Sequence, residues 1–218
     1  MPYVIGRPSK FLALATTVAG LLIAAQPAAA ARPRSVPQVA AQPASADASC
    51  PAVDASPLLS NFGDSSNYAP LSGGTFEGST ADWSLTDASA VDGNEPWFVV
   101  SSEDSQSLRL ASGGSAVSPS FCVDNQVPSF RFFAENVRGG RRAKLSVRVD
   151  WTDAQGNTGS TPAYALHRKD YASWQLSPVF ALMAGLPDGN TLSAQLVFSA
   201  SRGSAWQIDD VLLDPYAK

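Results

Sequence analysis

From residue 50 onward, apolar and polar residues alternate along the chain, and this two-residue period limits the possible fold more than any other feature. Residues 144–151 (KLSVRVDW) show it most clearly, with a leucine, two valines and a tryptophan on one face. Residues 129–135 and 191–199 repeat the pattern. Because successive side chains of a strand point to opposite faces, each segment predicts a strand with one buried side.

Further short strands are expected between clusters of Gly, Asn and Asp, which form turns. Helical periodicity is nearly absent, and residues 180–186 (FALMAGL) are the only helical candidate. This pattern predicts an all-β, antiparallel β-sandwich of the jelly-roll type, with a closed barrel as the alternative. The additional strands are expected at residues 75–77, 83–86, 96–100, 107–110, 115–123, 160–166, 173–180 and 205–213.

The first 31 residues have the parts of a secretory signal peptide. Arg7 and Lys10 precede an apolar stretch at residues 11–25, and a Pro-Ala run follows. An uncleaved anchor is the alternative, but the apolar stretch is short against the ~20 residues that cross a bilayer. We therefore expect cleavage near residue 31 and a secreted or cell-envelope protein without a transmembrane anchor.

Residues 32–49 are rich in Pro, Ala and Ser and contain no aromatic residue, so they are interpreted as a disordered linker. The folded domain is then residues 50–218, with 11 basic and 18 acidic residues and a net charge of -7. This acidic balance argues against a nucleic-acid partner. We expect a monomer.

Both cysteines fall in the exported part of the chain. Cys50 opens the domain, and Cys122 lies in a predicted strand. In an oxidising compartment an even pair favours a disulfide, which would fasten the amino-terminal segment to the sandwich. Intermolecular pairing is the alternative.

Two motifs resemble a known fold family. Residues 73–78 (GGTFEG), followed by residues 82–85 (DWSL), resemble the opening strand of galactose-binding-like jelly rolls, which include carbohydrate-binding modules of bacterial glycoside hydrolases. Residues 206–211 (WQIDDV) resemble the closing strand. The chain from residue 50 is also similar to a group of exported actinobacterial proteins without an established function, and that second resemblance implies no activity.

The resemblance to carbohydrate-binding modules implies a structural calcium ion between an opening glutamate and a closing aspartate. On this chain the matching residues are Glu77 and Asp209, with Asp210 as a further candidate. Hard oxygen ligands suit Ca²⁺. The alternative is that Glu77 is a solvated strand residue and that Asp209 makes only backbone hydrogen bonds.

Candidate ligand-binding residues are Asn94, Glu95 and Trp97, where a polar turn leads into a predicted aromatic strand. Aromatic faces stack on sugar rings, and polar neighbours bind the hydroxyl groups. Further exposed candidates are Trp174, Tyr68, Tyr164 and Tyr171, whereas Trp83, Trp151 and Trp206 fit core positions.

Catalytic arrangements are not indicated. The chain has one histidine, His167, and no G-x-S-x-G motif, and no spacing singles out a pair of carboxyls. The basic run at residues 138–144 (RGGRRAK) is interpreted as a solvated hairpin turn, with contact to an anionic wall polymer or lipid headgroup as the alternative. We expect a non-catalytic binding module for an extracellular or cell-wall glycan, with a structural or protein-interaction module as the alternative.

Overall fold

The computed structural model describes residues 50–124, 129–182 and 190–214. The predicted signal peptide and linker therefore lie outside the described residues, as do residues 183–186 of the helical candidate. Within the described ranges, no helix is long and apolar enough to cross a membrane.

The described chain is built from strands that all pair antiparallel, which confirms the predicted class. A single short 3₁₀ turn, Ser60–Phe62, precedes them. The strands are β1 (Ala69–Pro70), β2 (Ser84–Asp92), β3 (Gln106–Val117), β4 (Phe121–Val123), β5 (Ser129–Arg138), β6 (Lys144–Asp153), β7 (Thr158–Ser160), β8 (Tyr164–His167), β9 (Gln175–Leu176), β10 (Phe180–Ala181), β11 (Leu192–Ala200) and β12 (Ala205–Asp214).

The strands pair into one continuous sheet that turns at the long strand β3, and we call the parts on either side of this turn the front sheet and the back sheet. The first half of β3 pairs with β12, and its second half pairs with β11. The front sheet continues from β12 to β5, β9 and β10, and the back sheet continues from β11 to β6, β7 and β8. The path of pairing begins at β10 and ends at β7, which do not pair in the described chain, so the strands form a folded-over sandwich and not a closed barrel.

The two sheets pack face to face over an apolar core. Phe132 of β5 and Phe198 of β11 meet edge to face, with ring centroids 5.0 Å apart, and neither side chain is exposed. Leu145, Val147 and Val149 face this core as the alternation predicted. The predicted core positions of Trp83 and Trp206 are confirmed, because both are buried in the same cluster.

A second, smaller apolar cluster lies on the outer side of the front sheet. Phe133 points away from the main core and packs with Leu59, Tyr68 and Leu212. The amino-terminal segment therefore covers part of this sheet. The predicted disulfide between Cys50 and Cys122 is present, with a Cα–Cα distance of 5.5 Å.

Three predicted strands, at residues 115–123, 160–166 and 173–180, are each divided by a loop into parts of two strands. Two others are absent. Residues 75–77 form a turn, because Phe76 (φ 57°) lies between glycines with positive φ and turns its ring into the core. Residues 96–100 lie in a loop, because the Glu95 carboxylate binds the N–H groups of Trp97 and Val99 that a strand would need for pairing.

Candidate functional site

The loop between β2 and β3, residues 93–105, carries the exposed aromatic side chains. Trp97 is 44% exposed and Phe98 is 45% exposed, the largest aromatic surface on the described chain. Trp97 belongs to the motif that the sequence singled out, whereas the exposure of Phe98 was not predicted. The site is therefore built from this loop and from the groups that hold it.

Glu95 organises the loop from inside the protein. Its side chain is 1% exposed, and its two carboxylate oxygens accept hydrogen bonds from the backbone N–H groups of Trp97 and Val99. Phe98 between them has φ 52°, which the tight turn around the carboxylate requires. The Asn94 side-chain amide donates to the Glu95 carbonyl oxygen at 2.9 Å. Glu95 thus positions Trp97. Direct ligand binding by Glu95 and by Asn94 stays a prediction.

The two residues predicted to bind calcium hold the two ends of the same loop. Asp209 Oδ2 accepts a hydrogen bond from the Glu95 N–H at 3.0 Å, at the start of the loop. Glu77 Oε1 accepts the N–H groups of Ser105, at 2.6 Å, and Gln106, at the end of the loop. Sequence reasoning missed this shared role, because residues 77 and 209 meet the loop only in the folded chain.

Beside Asp209 lies a buried carboxyl without a donor. Asp210 is 1% exposed and has φ 44°, and neither of its oxygens has a hydrogen-bond partner in the described part of the chain. Burial, and next the charge of Asp209, raises the pKa of Asp210 well above its usual value, and the Glu95 carboxyl lies within hydrogen-bonding reach. Burial also raises the pKa of Asp209 to about 8. A proton on Asp210 would bond to Glu95 and neutralise part of this group.

The contacts of the Glu77 and Asp209 carboxyls bear on whether they could bind calcium. Among the described residues, no three His, Cys, Asp or Glu side chains form a group that could hold a metal ion. The oxygens of Glu77 and Asp209 accept backbone N–H groups, which a cation would have to replace. Calcium binding by Glu77 and Asp209 stays a prediction. The hydrogen bonds of Asp209 agree with the alternative for that residue, whereas Glu77 is not a solvated strand residue, because it lies outside the strands and binds the end of the loop.

The Trp97 ring is exposed but fixed. Its centroid lies 5.3 Å from the Phe133 ring, which forms a floor beneath it, and 5.1 Å from the Phe62 ring, which meets it edge-on. With the backbone bond to Glu95, these contacts hold the ring before any ligand arrives. Stacking on such a ring costs little conformational entropy.

A row of polar side chains crosses the front sheet next to Phe133. Glu135, Gln207, Arg109 and Ser89 are cross-strand partners on β5, β12, β3 and β2. Their neighbours along each strand face the core, so these four face outward. Glu135 follows Phe133 by two residues on the same face, about 7 Å away along the strand. We call Trp97 with this row the Trp97 surface; a single sequence does not reveal the row, because cross-strand register decides it.

A polar groove of about 320 Å³ lies on the back sheet and was also missed. Asp150 at its wall accepts hydrogen bonds from Arg148, at 2.8 and 3.0 Å, and from Ser160, at 2.6 Å. Gln195 faces the same groove and donates to a backbone carbonyl. Trp151 is half-buried, because it packs against the core and also lines this groove, so its predicted core position is only partly confirmed.

The other aromatic candidates are less accessible. Tyr68 and Tyr171 are buried, and their predicted exposure is wrong because both rings fill gaps in the apolar clusters. Tyr164 is half-buried and stacks on Phe180 at 4.5 Å. Trp174 is half-buried in the cluster that contains Phe133.

Solved structures of similar fold include carbohydrate-binding modules. A family 61 module in complex with β-1,4-galactotriose is 16% identical with a TM-score of 0.41, covering 66% of this chain and 95% of that one. The xylan-binding family 22 module of Paenibacillus barcinonensis Xyn10C is 17% identical with a TM-score of 0.43, covering 65% and 91%.

A family 11 module of a Clostridium thermocellum cellulase is 13% identical with a TM-score of 0.42, covering 69% of this chain and 96% of that module. No protein-family model and no curated protein matches the chain. Galactotriose and xylan are ligands of those modules, and these comparisons assign no ligand to this chain.

Proposed function

We propose that the chain is an exported, non-catalytic module that binds carbohydrate at the Trp97 surface. The observation that carries the proposal is the exposed Trp97 ring, which Phe133, Phe62 and the Glu95 carboxylate hold in place. Exposing a large aromatic ring to water is unfavourable by a few kcal/mol relative to burying it, about 2 kcal/mol for a ring of this kind. A ring that is fixed and still exposed therefore favours a binding role.

The chemistry around the ring suits a sugar. A pyranose presents an apolar face of C–H groups and a rim of hydroxyl groups, and Trp97 offers the matching flat face. Carboxylate, amide and guanidinium groups of the polar row can accept and donate hydrogen bonds to hydroxyls. We place the apolar face of the sugar on Trp97 and its hydroxyls toward Glu135 and Gln207.

Export is supported by the disulfide, which is characteristic of oxidising compartments. The proposal therefore keeps the signal peptide at residues 1–31 and the linker at residues 32–49. The partner would be an extracellular or cell-wall glycan.

A protein-interaction role is the second candidate. Trp97 and Phe98 are adjacent and similarly exposed, and the half-buried Val99 and Val100 follow them, so the loop presents an apolar patch. This patch would suit a protein partner without any sugar.

The two candidates predict different results from a matched pair of variants in one loop. Trp97→Ala removes the supported ring, and Phe98→Ala removes a neighbouring ring of equal exposure. The purified chain is screened on a glycan array, and affinities for the sugars found are measured by calorimetry. We expect Trp97→Ala to weaken sugar binding about 30-fold, about 2 kcal/mol, and Phe98→Ala to weaken it less than threefold.

The screen can also overturn the proposal. Binding to no sugar on the array would favour the protein-interaction role. Binding that survives Trp97→Ala but is lost in Gln195→Ala would move the site to the groove of the back sheet.

A further inference from the structure

Three loops meet at one end of the sandwich and carry most of its positive charge. They are residues 138–144, 167–170 and 201–204. Backbone hydrogen bonds of 3.2 and 3.0 Å join the first loop to the second and to the third. Residues far apart in the sequence thus form one surface, which we call the cationic end.

The concentration of charge is high. Of the ten Lys and Arg residues in the described chain, seven lie on these three loops, and all seven are exposed. The loops contain one acidic residue, Asp170. The chain as a whole has a net charge of -4, so this end has the opposite sign to the rest. The seven residues are Arg138, Arg141, Arg142, Lys144, Arg168, Lys169 and Arg202.

These cations are not used to hold the fold. Apart from a 3.9 Å contact between the exposed Lys169 and Asp170, none of the seven side chains makes an ion pair or a side-chain hydrogen bond with another described residue. Elsewhere, Arg131 pairs with Asp64 at 2.9 Å and Arg148 pairs with Asp150 at 2.8 Å. Gathering like charges without partners destabilises a folded chain, so their accumulation at one end favours a ligand of opposite charge.

The shape of the cationic end narrows the class of ligand. Arg141, His167, Arg168 and Lys169 line an open cleft of about 540 Å³. The cations extend over three loops instead of converging on one point, which suits a polymer with repeated anionic groups better than a single small anion. The loops carry no exposed large apolar side chain that could enter a membrane, and a cleft does not match a flat bilayer.

We propose that the cationic end binds an anionic polysaccharide, with sulfate, phosphate or carboxylate groups of the polymer in contact with Arg141, Arg168 and the neighbouring cations. This site lies on different loops from the Trp97 surface and does not depend on it. Its attraction is electrostatic and acts over a distance of about 10 Å at moderate salt. Binding there would hold the domain on a charged matrix.

The test uses the purified chain with dextran sulfate and with uncharged dextran of the same length. We expect binding to dextran sulfate that weakens steeply between 50 and 300 mM NaCl, about 10-fold or more, because ion release drives it. Arg168→Ser should weaken this binding about threefold, and the Arg141→Ser/Arg168→Ser double variant about tenfold. The matched control is Gln155→Glu, which lowers the net charge by the same one unit at an exposed turn between β6 and β7, at the other end of β6 from Lys144, and should change affinity less than 1.5-fold.

Three results would overturn the proposal. An equal loss from Gln155→Glu and Arg168→Ser would show an effect of overall charge without a site. Binding to dextran as strong as to dextran sulfate would remove the electrostatic basis. Stronger binding per charge to vesicles of phosphatidylcholine with 30% phosphatidylglycerol, or to duplex DNA, would assign this end to a different class of partner.

Discussion

Replacing Asp210 by asparagine tests the account of the buried carboxyls. Asp210 faces Glu95 and Asp209 without a hydrogen-bond donor, and Asp104 adds further negative charge nearby. The Asp210→Asn amide would donate to the Glu95 carboxylate and would carry no charge. Asparagine, like aspartate, tolerates the positive φ of this position, so the substitution adds no backbone strain. The added donor and the lost charge both predict that the variant is more stable than the parent at neutral pH.

The size of the effect follows from proton linkage. In the unfolded chain this aspartate has its usual pKa of 3.8, whereas in the folded chain it stays protonated. Above pH 3.8, folding therefore takes up a proton. Each pH unit costs about 1.4 kcal/mol, which sets an upper limit of about 4 kcal/mol at pH 7. Because the folded pKa is raised, the free energy of unfolding falls as pH rises from about 4 toward the folded pKa. Asp209, with a pKa of about 8, adds to the same slope.

Urea unfolding at pH 4.5 and pH 8, each with EDTA, measures this prediction. We expect Asp210→Asn to raise the free energy of unfolding by no more than about 1 kcal/mol at pH 4.5 and by about 1–3 kcal/mol more than that at pH 8. A variant that is less stable than the parent at pH 8 would refute the proton account. Loss of a calcium-dependent rise in melting temperature in the variant would instead support the calcium that the resemblance implied.

Three further changes test the fold. Reducing the disulfide, which joins residues 72 apart, should lower the free energy of unfolding by about 4 kcal/mol in urea titrations. An unchanged free energy of unfolding would mean that the amino-terminal segment stays in place without the disulfide. Phe198→Ala should cost about 3–5 kcal/mol by the same assay, because its ring is wholly buried between the sheets; a loss below 1 kcal/mol would contradict the packing. Gly159→Ala should lower the melting temperature, because a Cβ there would lie 2.3 Å from the Trp151 ring, whereas Gly140→Ala meets nothing and should be neutral.

The parts of the fold that the sequence predicted depend on local pattern. Alternation identified β5, β6 and β11 with their inward faces, because each strand position reports its own face. The disulfide was predictable because two cysteines in a chain predicted to be exported leave one intramolecular pairing. The opening and closing motifs indicated the jelly-roll fold through residues that repeat in that architecture.

One error arose where a side chain competes with the backbone ladder. Residues 96–100 have the apolar composition of a strand, yet Glu95 binds their N–H groups and bends them into a loop. Local composition does not show which side-chain acceptor a backbone N–H group will bind. Residues 75–77 deviate for a different reason, because Phe76 has a positive φ and its ring is buried, so the chain turns there instead of extending.

The sequence by itself determined the all-β class, the disulfide and the aromatic motif at Trp97, because each depends on residue type and on spacing along the chain. The tertiary structure alone decided what surrounds that motif. It placed Phe133 beneath Trp97, set the polar row by cross-strand register, and brought Glu77 and Asp209 to opposite ends of one loop. It also joined three separate loops into the cationic end, because strand pairing converts distance along the chain into contact in space.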